Sequence, residues 1–205
     1  CSGPILGKLL TFTIPLIFSG ILQFLFNAAD VIVVGRFAGS QSLAAVGSTT
    51  ALINLMINIF IGLSVGVNVI VARYYGAKRE KDVQDTIHTA MALSIVSGLF
   101  LIVMGQLLSR PMLELMGTPD DVIDKSTIYM RIIFIGMPAN MIYNFGSAIL
   151  RAVGDTKRPL YFLTAAGVIN VVLNLFFVIM FQMDVAGVAL ATAISQAISA
   201  CLVIL

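Results

Sequence analysis

An aspartate inside a long apolar segment is the residue of this sequence most able to do chemistry. Asp30 lies in residues 9–34, an apolar run longer than the roughly 20 residues that a helix needs to cross a bilayer. A carboxylate is costly there, so acids inside membrane segments usually mark the path of an ion or a substrate. Gly20, Gln23 and Asn27 precede Asp30 at steps of three or four residues, which places all four on one helical face. This face is predicted to be polar and able to bind a cation.

Asp30 also has a purely structural interpretation. Gly35 and Arg36 follow soon after it, so the carboxylate could lie near the end of the helix and simply reach water. Polar stripes on most other apolar segments favour the functional interpretation. Such stripes can hold helices together through hydrogen bonds worth about 1 kcal/mol each, or they can line a wet cavity. A bundle held together only for stability does not need an acid. The stripe residues are Asn54, Asn58, Asn68, Asn140, Asn144, Asn170, Asn174, Thr192 and Gln196.

The composition is that of an integral membrane protein. Hydrophobic residues make up 59% of the 205 residues, and charged residues only 11%. A net charge of +2 is too small to predict binding of nucleic acid, and Cys1 and Cys201 predict no disulfide framework. The single histidine and the lack of nucleophile or metal-ligand motifs argue against an enzyme and against a cofactor. A channel is disfavoured because no selectivity filter is recognisable.

Six apolar segments are predicted to be membrane-spanning helices, because an open sheet cannot satisfy its backbone hydrogen bonds in lipid. Pro15 and Pro138 should kink the first and the fourth helix, and such breaks are common where transporters bend. The segments are residues 9–34, 44–72, 88–108, 122–150, 159–181 and 186–205. An all-α bundle with kinks, polar inward faces and one buried acid is typical of a secondary transporter that exchanges an ion for a substrate.

The basic residues favour one orientation in the membrane. With the N-terminus inside, eight basic residues lie on the inner side and four on the outer side, as the positive-inside rule requires. The inner set is Lys8, Arg73, Lys78, Arg79, Lys81, Arg151, Lys157 and Arg158, and the outer set is Arg36, Arg110, Lys125 and Arg131. We therefore expect a multi-pass protein of the cell (inner) membrane with a cytoplasmic N-terminus.

Three motifs resemble those of the multidrug and toxic compound extrusion (MATE) family. Residues 27–36 (NAADVIVVGR) and 43–47 (LAAVG) look like the first-helix signature of that family. Residues 151–159 (RAVGDTKRP) are similar to its loop between helices four and five, and residues 185–196 (VAGVALATAISQ) to its sixth helix. The motifs occur in the right order and extend over the whole chain, which makes the resemblance specific.

The resemblance implies a fold, a function and a coupling site. Family members have twelve helices in two six-helix lobes, so residues 1–205 are expected to form the N-terminal lobe of a longer protein whose second lobe is a partner. They export cationic, amphipathic drugs across the bilayer by antiport with sodium ions or protons. Asp30 is then the implied coupling carboxylate, with sodium as a candidate ligand, and Asn170 and Asn174 are implied to line the same cavity. With the polar stripes, the predicted cavity residues are Gln23, Asn27, Asn54, Asn58, Asn144, Asn170, Asn174 and Gln196.

One position departs from part of the family, which has an aspartate where this chain has Asn174. Asp30 is then the one ionisable residue in the predicted cavity. This argues against a mechanism in which two acids share a proton, and leaves the choice between sodium and proton open. Lipid flippases of the same superfamily are the alternative function. A large cavity lined with arginines would favour them, and this sequence offers only Arg151, near a helix end.

Overall fold

The computed structural model describes residues 5–205, which fold into seven α-helices and contain no β-strand. The helices are α1 (Ile5–Val33), α2 (Ser40–Gly76), α3 (Glu80–Leu115), α4 (Asp120–Ile135), α5 (Met137–Ala152), α6 (Lys157–Leu175) and α7 (Asp184–Ile204). Short π-helical turns at Val34–Ala38 and Phe176–Met180 extend α1 and α6. Cys1 lies outside the described residues, as does the side chain of Lys8. The prediction of an all-α fold is confirmed.

The fourth predicted segment is a broken span. Five of the described helices are long and apolar enough to cross a membrane, and α4 and α5 together give a sixth span with a bend of 48°. The break falls at Gly136, and Pro138 follows at the start of α5. Proline has no N–H and cannot continue the hydrogen-bond ladder of α4. The kink predicted at Pro138 is therefore confirmed, whereas Pro15 lies within α1 without ending it.

The helices are longer than the predicted segments. The predicted bounds are 44–72 for α2 and 88–108 for α3, and both helices extend by several residues at each end. Six of the fifteen added residues of α3 are charged, and Arg79, just before it, pairs with Asp82 of its first turn, Nε to Oδ2, at 2.6 Å. Such pairs support helix ends in water. Hydropathy marks the apolar middle of a membrane helix, but it does not mark the solvated ends.

Close packing holds α3 against the bend between α4 and α5. Gly98 of α3 faces Pro138, and Gly105 faces Phe134, so that a Cβ atom at either glycine would overlap its neighbour. Phe134 itself is fully buried. Protein interiors are packed this tightly because voids forfeit dispersion contacts. The bend is therefore a fixed feature of the bundle.

Helix α1 lies at the side of the bundle and packs along α6. Most of its large apolar side chains are exposed, and a cavity separates its polar face from α2 and α5. The bundle has two ends. The Gly39 end holds the α1–α2, α3–α4 and α6–α7 turns, and the Gly154 end holds the α2–α3 and α5–α6 turns. The cavity extends between these two ends.

Candidate functional site

One cavity of about 880 Å³ gathers most of the polar residues predicted from the sequence. Helices α1, α2, α4, α5 and α7 border it. Seven of the predicted site residues line it, namely Gln23, Asn27, Asp30, Asn54, Asn58, Asn144 and Gln196. Helical spacing therefore identified the face that α1, α2, α5 and α7 each turn towards a common space.

Asp30 is the only acid among the described residues that line the cavity, and it is half-buried. Asn174 donates one amide N–H to Oδ1 of Asp30. The same amide nitrogen also donates to Oδ1 of Asn170 at 3.2 Å, and Asn170 donates to the hydroxyl of Thr192 at 3.3 Å. This chain of hydrogen bonds connects α1, α6 and α7. It holds the carboxylate in one place at the cavity wall.

Asn170 and Asn174 do not line the cavity themselves, contrary to the prediction. Their side chains are 5% and 0% exposed, and they lie behind Asp30 and Thr192. They are one helical turn apart on α6, and the face that carries them packs against α1 and α7. Spacing places two residues on one face of a helix, but it does not reveal whether that face meets a cavity or a neighbouring helix.

Two buried amide oxygens beside this chain are unpaired. Oδ1 of Asn174 and Oε1 of Gln196 have no hydrogen-bond partner among residues 5–205. A buried acceptor without a partner costs free energy, so we expect a proton donor, which includes water, or a cation to bind there. The amide of Asn174 contacts Asp30, so a carboxylate and an amide oxygen, which are ligands that hard cations prefer, lie side by side here. The arrangement is suited to hold a small cation or a proton.

Tyr129 is a cavity residue that the sequence analysis missed. It lies on α4, is 9% exposed and lines the cavity together with Ile133 of the same helix. A single tyrosine among apolar neighbours is most often a core residue, and α4 carries no polar stripe that would single it out. No signal in the sequence marks it as part of a site.

Arg151 lines the cavity at its Gly154 end. It lies in the last turn of α5, where its Nε donates to the carbonyl oxygen of Ser147 at 3.1 Å. Asn68 of α2 donates to the carbonyl oxygen of Ala148 at 2.7 Å and so joins α2 to α5 nearby. The expected position near a helix end is observed, and the structure adds that the side chain borders the cavity.

Asp30 and Arg151 lie far apart in this cavity. Arg151 precedes the turn that leads to Lys157, the first residue of α6, whereas Asp30 is bonded to Asn174 near the other end of α6. Along the helix this corresponds to about 26 Å at 1.5 Å per residue. Two unit charges at that distance interact by only about 0.2 kcal/mol in water. Each charge can therefore bind its own partner.

A polar cluster ties three helices together at the Gly39 end. Nζ of Lys125 on α4 lies 2.6 Å from Oδ2 of Asp184 at the start of α7. Ser42 of α2 donates to the same carboxylate and accepts from Lys125 at 3.2 Å. The two charged side chains are 35% and 33% exposed, so the pair adds modestly to stability. It closes this end of the bundle beside the α6–α7 turn.

Comparisons with known proteins agree with this architecture. The MatE family model matches residues 15–176. The chain is 35% identical over 188 residues to "Probable multidrug resistance protein YoeA" of Bacillus subtilis, which covers 90% of this chain and 41% of that protein. It is 28% identical over 199 residues to a protein named "FAD transporter" from Shewanella oneidensis, which covers 95% of this chain and 44% of that protein.

A solved structure gives the same result in three dimensions. The fold matches the outward-facing conformation of a multidrug resistance MATE family transporter of the MOP superfamily with a TM-score of 0.90 and 26% identity. The match covers 96% of this chain and 43% of that transporter. The chain thus spans about two fifths of the length of the proteins it matches. The predicted resemblance to one lobe of such a transporter is confirmed.

Proposed function

Since the chain belongs to the MatE family, we propose that it forms one half of a secondary transporter in the cell membrane. The proposed substrates are cationic, amphipathic small molecules, exported in exchange for sodium ions or protons. The observation that carries this proposal is one acid, Asp30, on a cavity of about 880 Å³ whose described walls are otherwise apolar or uncharged except at Arg151. Cavities of this volume hold drug-sized ligands. We propose transport and not catalysis, in line with the names of the relatives.

Asp30 can couple two fluxes because it offers one negative charge to two different cations. A sodium ion or a proton that binds to Asp30 neutralises the carboxylate, and a cationic substrate then loses the charge that held it. Burial of an uncompensated charge is costly, so the helices can close around Asp30 only after it has been neutralised. Competition for one charge, combined with this closure, gives alternating access and antiport.

Asn174 suits both states of this cycle. An amide can donate a hydrogen bond to a carboxylate and can accept one from a carboxylic acid. In the structure it donates to Asp30, and its own Oδ1 is buried without a partner among residues 5–205. We propose that this oxygen accepts from the protonated acid or binds a sodium ion. Asp30 would then be hydrogen-bonded in either state.

A second six-helix lobe is the proposed partner of this chain. The cavity is bordered on one side by α1 and α2, whose apolar side chains are extensively exposed. The proteins that the chain matches are about twice its length. A pseudo-two-fold arrangement of two such lobes, as in many transporters, would enclose the substrate between them.

A lipid flippase is the second candidate function. Arg151 on the cavity wall is the observation that favours it, because arginine pairs well with the phosphate of a lipid head group. Arg151 is the one basic residue among the described lining residues, which makes the wall of this lobe far less basic than a head-group cavity requires. The relative named "Probable multidrug resistance protein YoeA" supports the drug exporter as the first candidate.

We propose that the Gly154 end of the bundle faces the cytoplasm, because most of the basic residues lie there. With Cys1 and Cys201 replaced by Ser, an impermeant thiol reagent applied to intact cells should label Met116→Cys in the α3–α4 turn. Both Met116 and Lys81 are exposed. Lys81→Cys near the α2–α3 turn should be labelled only after the cells are opened. The reverse pattern would show that the orientation is inverted.

Transport by the full-length protein in liposomes tests the proposed function. We expect rhodamine 6G, a cationic amphiphile, to move against its concentration gradient when a sodium or a proton gradient is imposed in the opposite direction. Collapsing that gradient with the matching ionophore should stop the transport. Transport that ignores both gradients would contradict antiport. Movement of a head-group-labelled lipid in place of rhodamine 6G would favour the flippase.

A further inference from the structure

The hydrogen-bonding capacity of Arg151 is largely unused. Its Nε donates to the carbonyl oxygen of Ser147 at 3.1 Å, but its two terminal nitrogens make no hydrogen bond among residues 5–205. None of the ion pairs formed by the described residues includes Arg151. A guanidinium presents its donors in a planar fork that matches a carboxylate or a phosphate. Here that fork borders a cavity with its donors available.

The nearest acid in the sequence is engaged elsewhere. Asp155, four residues after Arg151, lies 3.2 Å from Nε of Arg158. It also accepts hydrogen bonds from the backbone N–H groups of Lys157 and Arg158, at 3.2 and 3.1 Å. The carboxylate of Asp155 thus binds the first N–H groups of α6. It is therefore not available to pair with Arg151.

A structural role explains the charge of Arg151 but not its placement. A cation in the last turn of a helix is favoured by the helix dipole, and basic residues are common at the cytoplasmic ends of membrane helices. The second requirement is already met by Lys157 and Arg158, which are exposed to solvent in the first turn of α6. Neither requirement needs a half-buried guanidinium on a cavity wall beside Asn68.

We propose that Arg151, with Asn68 beside it, binds an anionic group of an amphipathic ligand, a carboxylate or a phosphate, at the Gly154 end of the cavity. This proposal rests on the proposed export function and widens its substrates to amphiphiles that carry a negative charge. Lys157, just after the turn that follows Arg151, and Asn174, which is bonded to Asp30, are about 26 Å apart along α6 at 1.5 Å per residue, so we do not expect one drug-sized molecule to touch both charges. The anionic group is therefore bound independently of the coupling cation.

A matched pair of probes tests the site in the full-length protein. Rhodamine 6G is an ester, and its free acid carries a carboxylate on the same ring system. Binding of both dyes is measured by fluorescence polarisation in an uncharged detergent. We expect the ratio of the affinity for the acid to that for the ester to fall about tenfold or more in Arg151→Gln, as for loss of a charge-assisted hydrogen bond. Arg151→Lys keeps the charge but lacks the planar pair of donors, so its affinity ratio should lie between those of the wild type and of Arg151→Gln.

Arg158→Gln is the control, because it removes the same charge from the same end of the bundle without touching the cavity. It should leave the affinity ratio unchanged. An unchanged ratio in a folded Arg151→Gln protein, or an equal fall in both variants, would overturn the proposal. Elution as a single species and binding of the ester show that a variant is folded. If Arg151→Gln fails this check, the ratio in Arg151→Lys decides in the same way.

The source of the anion is identified by two competitors, dodecyl phosphate as a free amphiphile and phosphatidylglycerol as a bilayer lipid. Either competitor should displace the free acid from the wild-type protein but not from Arg151→Gln. The competitor that displaces the free acid at the lower concentration shows whether the natural anion is a free amphiphile or a bilayer lipid. Displacement that is independent of Arg151 would contradict the site.

Export of the ester is measured in the same preparation. If the ester is exported while the affinity ratio does not depend on Arg151, only the anion site fails; if the ratio depends on Arg151 but no ester is exported, only the export function fails.

Discussion

Asp30→Asn in the full-length protein is expected to reduce ion-driven export of rhodamine 6G to the background level, while the protein remains folded and inserted. Asparagine has nearly the size of the protonated acid and can still hydrogen-bond to Asn174, so the local packing is preserved. It can neither release a proton nor attract a sodium ion by charge. The variant should therefore remain in the state that the neutralised wild-type protein adopts.

A purely structural Asp30 predicts the opposite outcome. The neutral amide would then be tolerated, or would even stabilise the protein, because it removes the cost of a charge in a half-buried site. Asp124→Asn is the matched control, since Asp124 is an exposed acid that pairs with Arg110 at the Gly39 end, outside the cavity. Export is measured in liposomes with equal amounts of each protein. Wild-type export by Asp30→Asn would refute the coupling role.

The sequence was sufficient to predict which helical faces meet, because the polar residues recur at steps of three and four. Gln23, Asn27 and Asp30 on α1, and Asn54 and Asn58 on α2, line the same cavity, as their spacing predicts. A membrane helix contains few polar residues, so a regular spacing among them is easy to recognise. The all-α fold and the bend at Pro138 follow from equally local rules on backbone hydrogen bonds.

Other features depend on tertiary packing that local rules do not contain. Asn170 and Asn174 have the same spacing as the cavity residues, yet they are covered by α1 and α7. Tyr129 lines the cavity from α4, and Arg151 borders it where α5 ends near Asn68. Such placements require the angles between helices, which hydropathy and spacing leave undetermined.

Asn174→Leu tests the hydrogen-bond chain behind the cavity and is expected to weaken coupling strongly. Leucine has the same branched shape, but it removes the donor to Asp30 and the unpaired amide oxygen that we propose as a cation ligand. Loss of a hydrogen bond to a charged group costs about 1.5–3 kcal/mol, which corresponds to roughly tenfold to a hundredfold in binding. We therefore expect the concentration of coupling cation that gives half-maximal export to rise at least about tenfold.

The dependence on the coupling cation separates this role from a structural one. If Asn174 only fills space between α1, α6 and α7, the leucine variant should export with the cation dependence of the wild type, whatever its stability. Asn174→Asp keeps an oxygen ligand of the same size and should retain coupling. Ser94→Ala is the control for a buried polar group, because Ser94 is fully buried on α3 and bonds only to Met91 of its own helix. The chain from Asp30 to Thr192 is supported if Asn174→Leu shifts the cation dependence and Ser94→Ala does not, since only the leucine variant removes an oxygen beside the carboxylate.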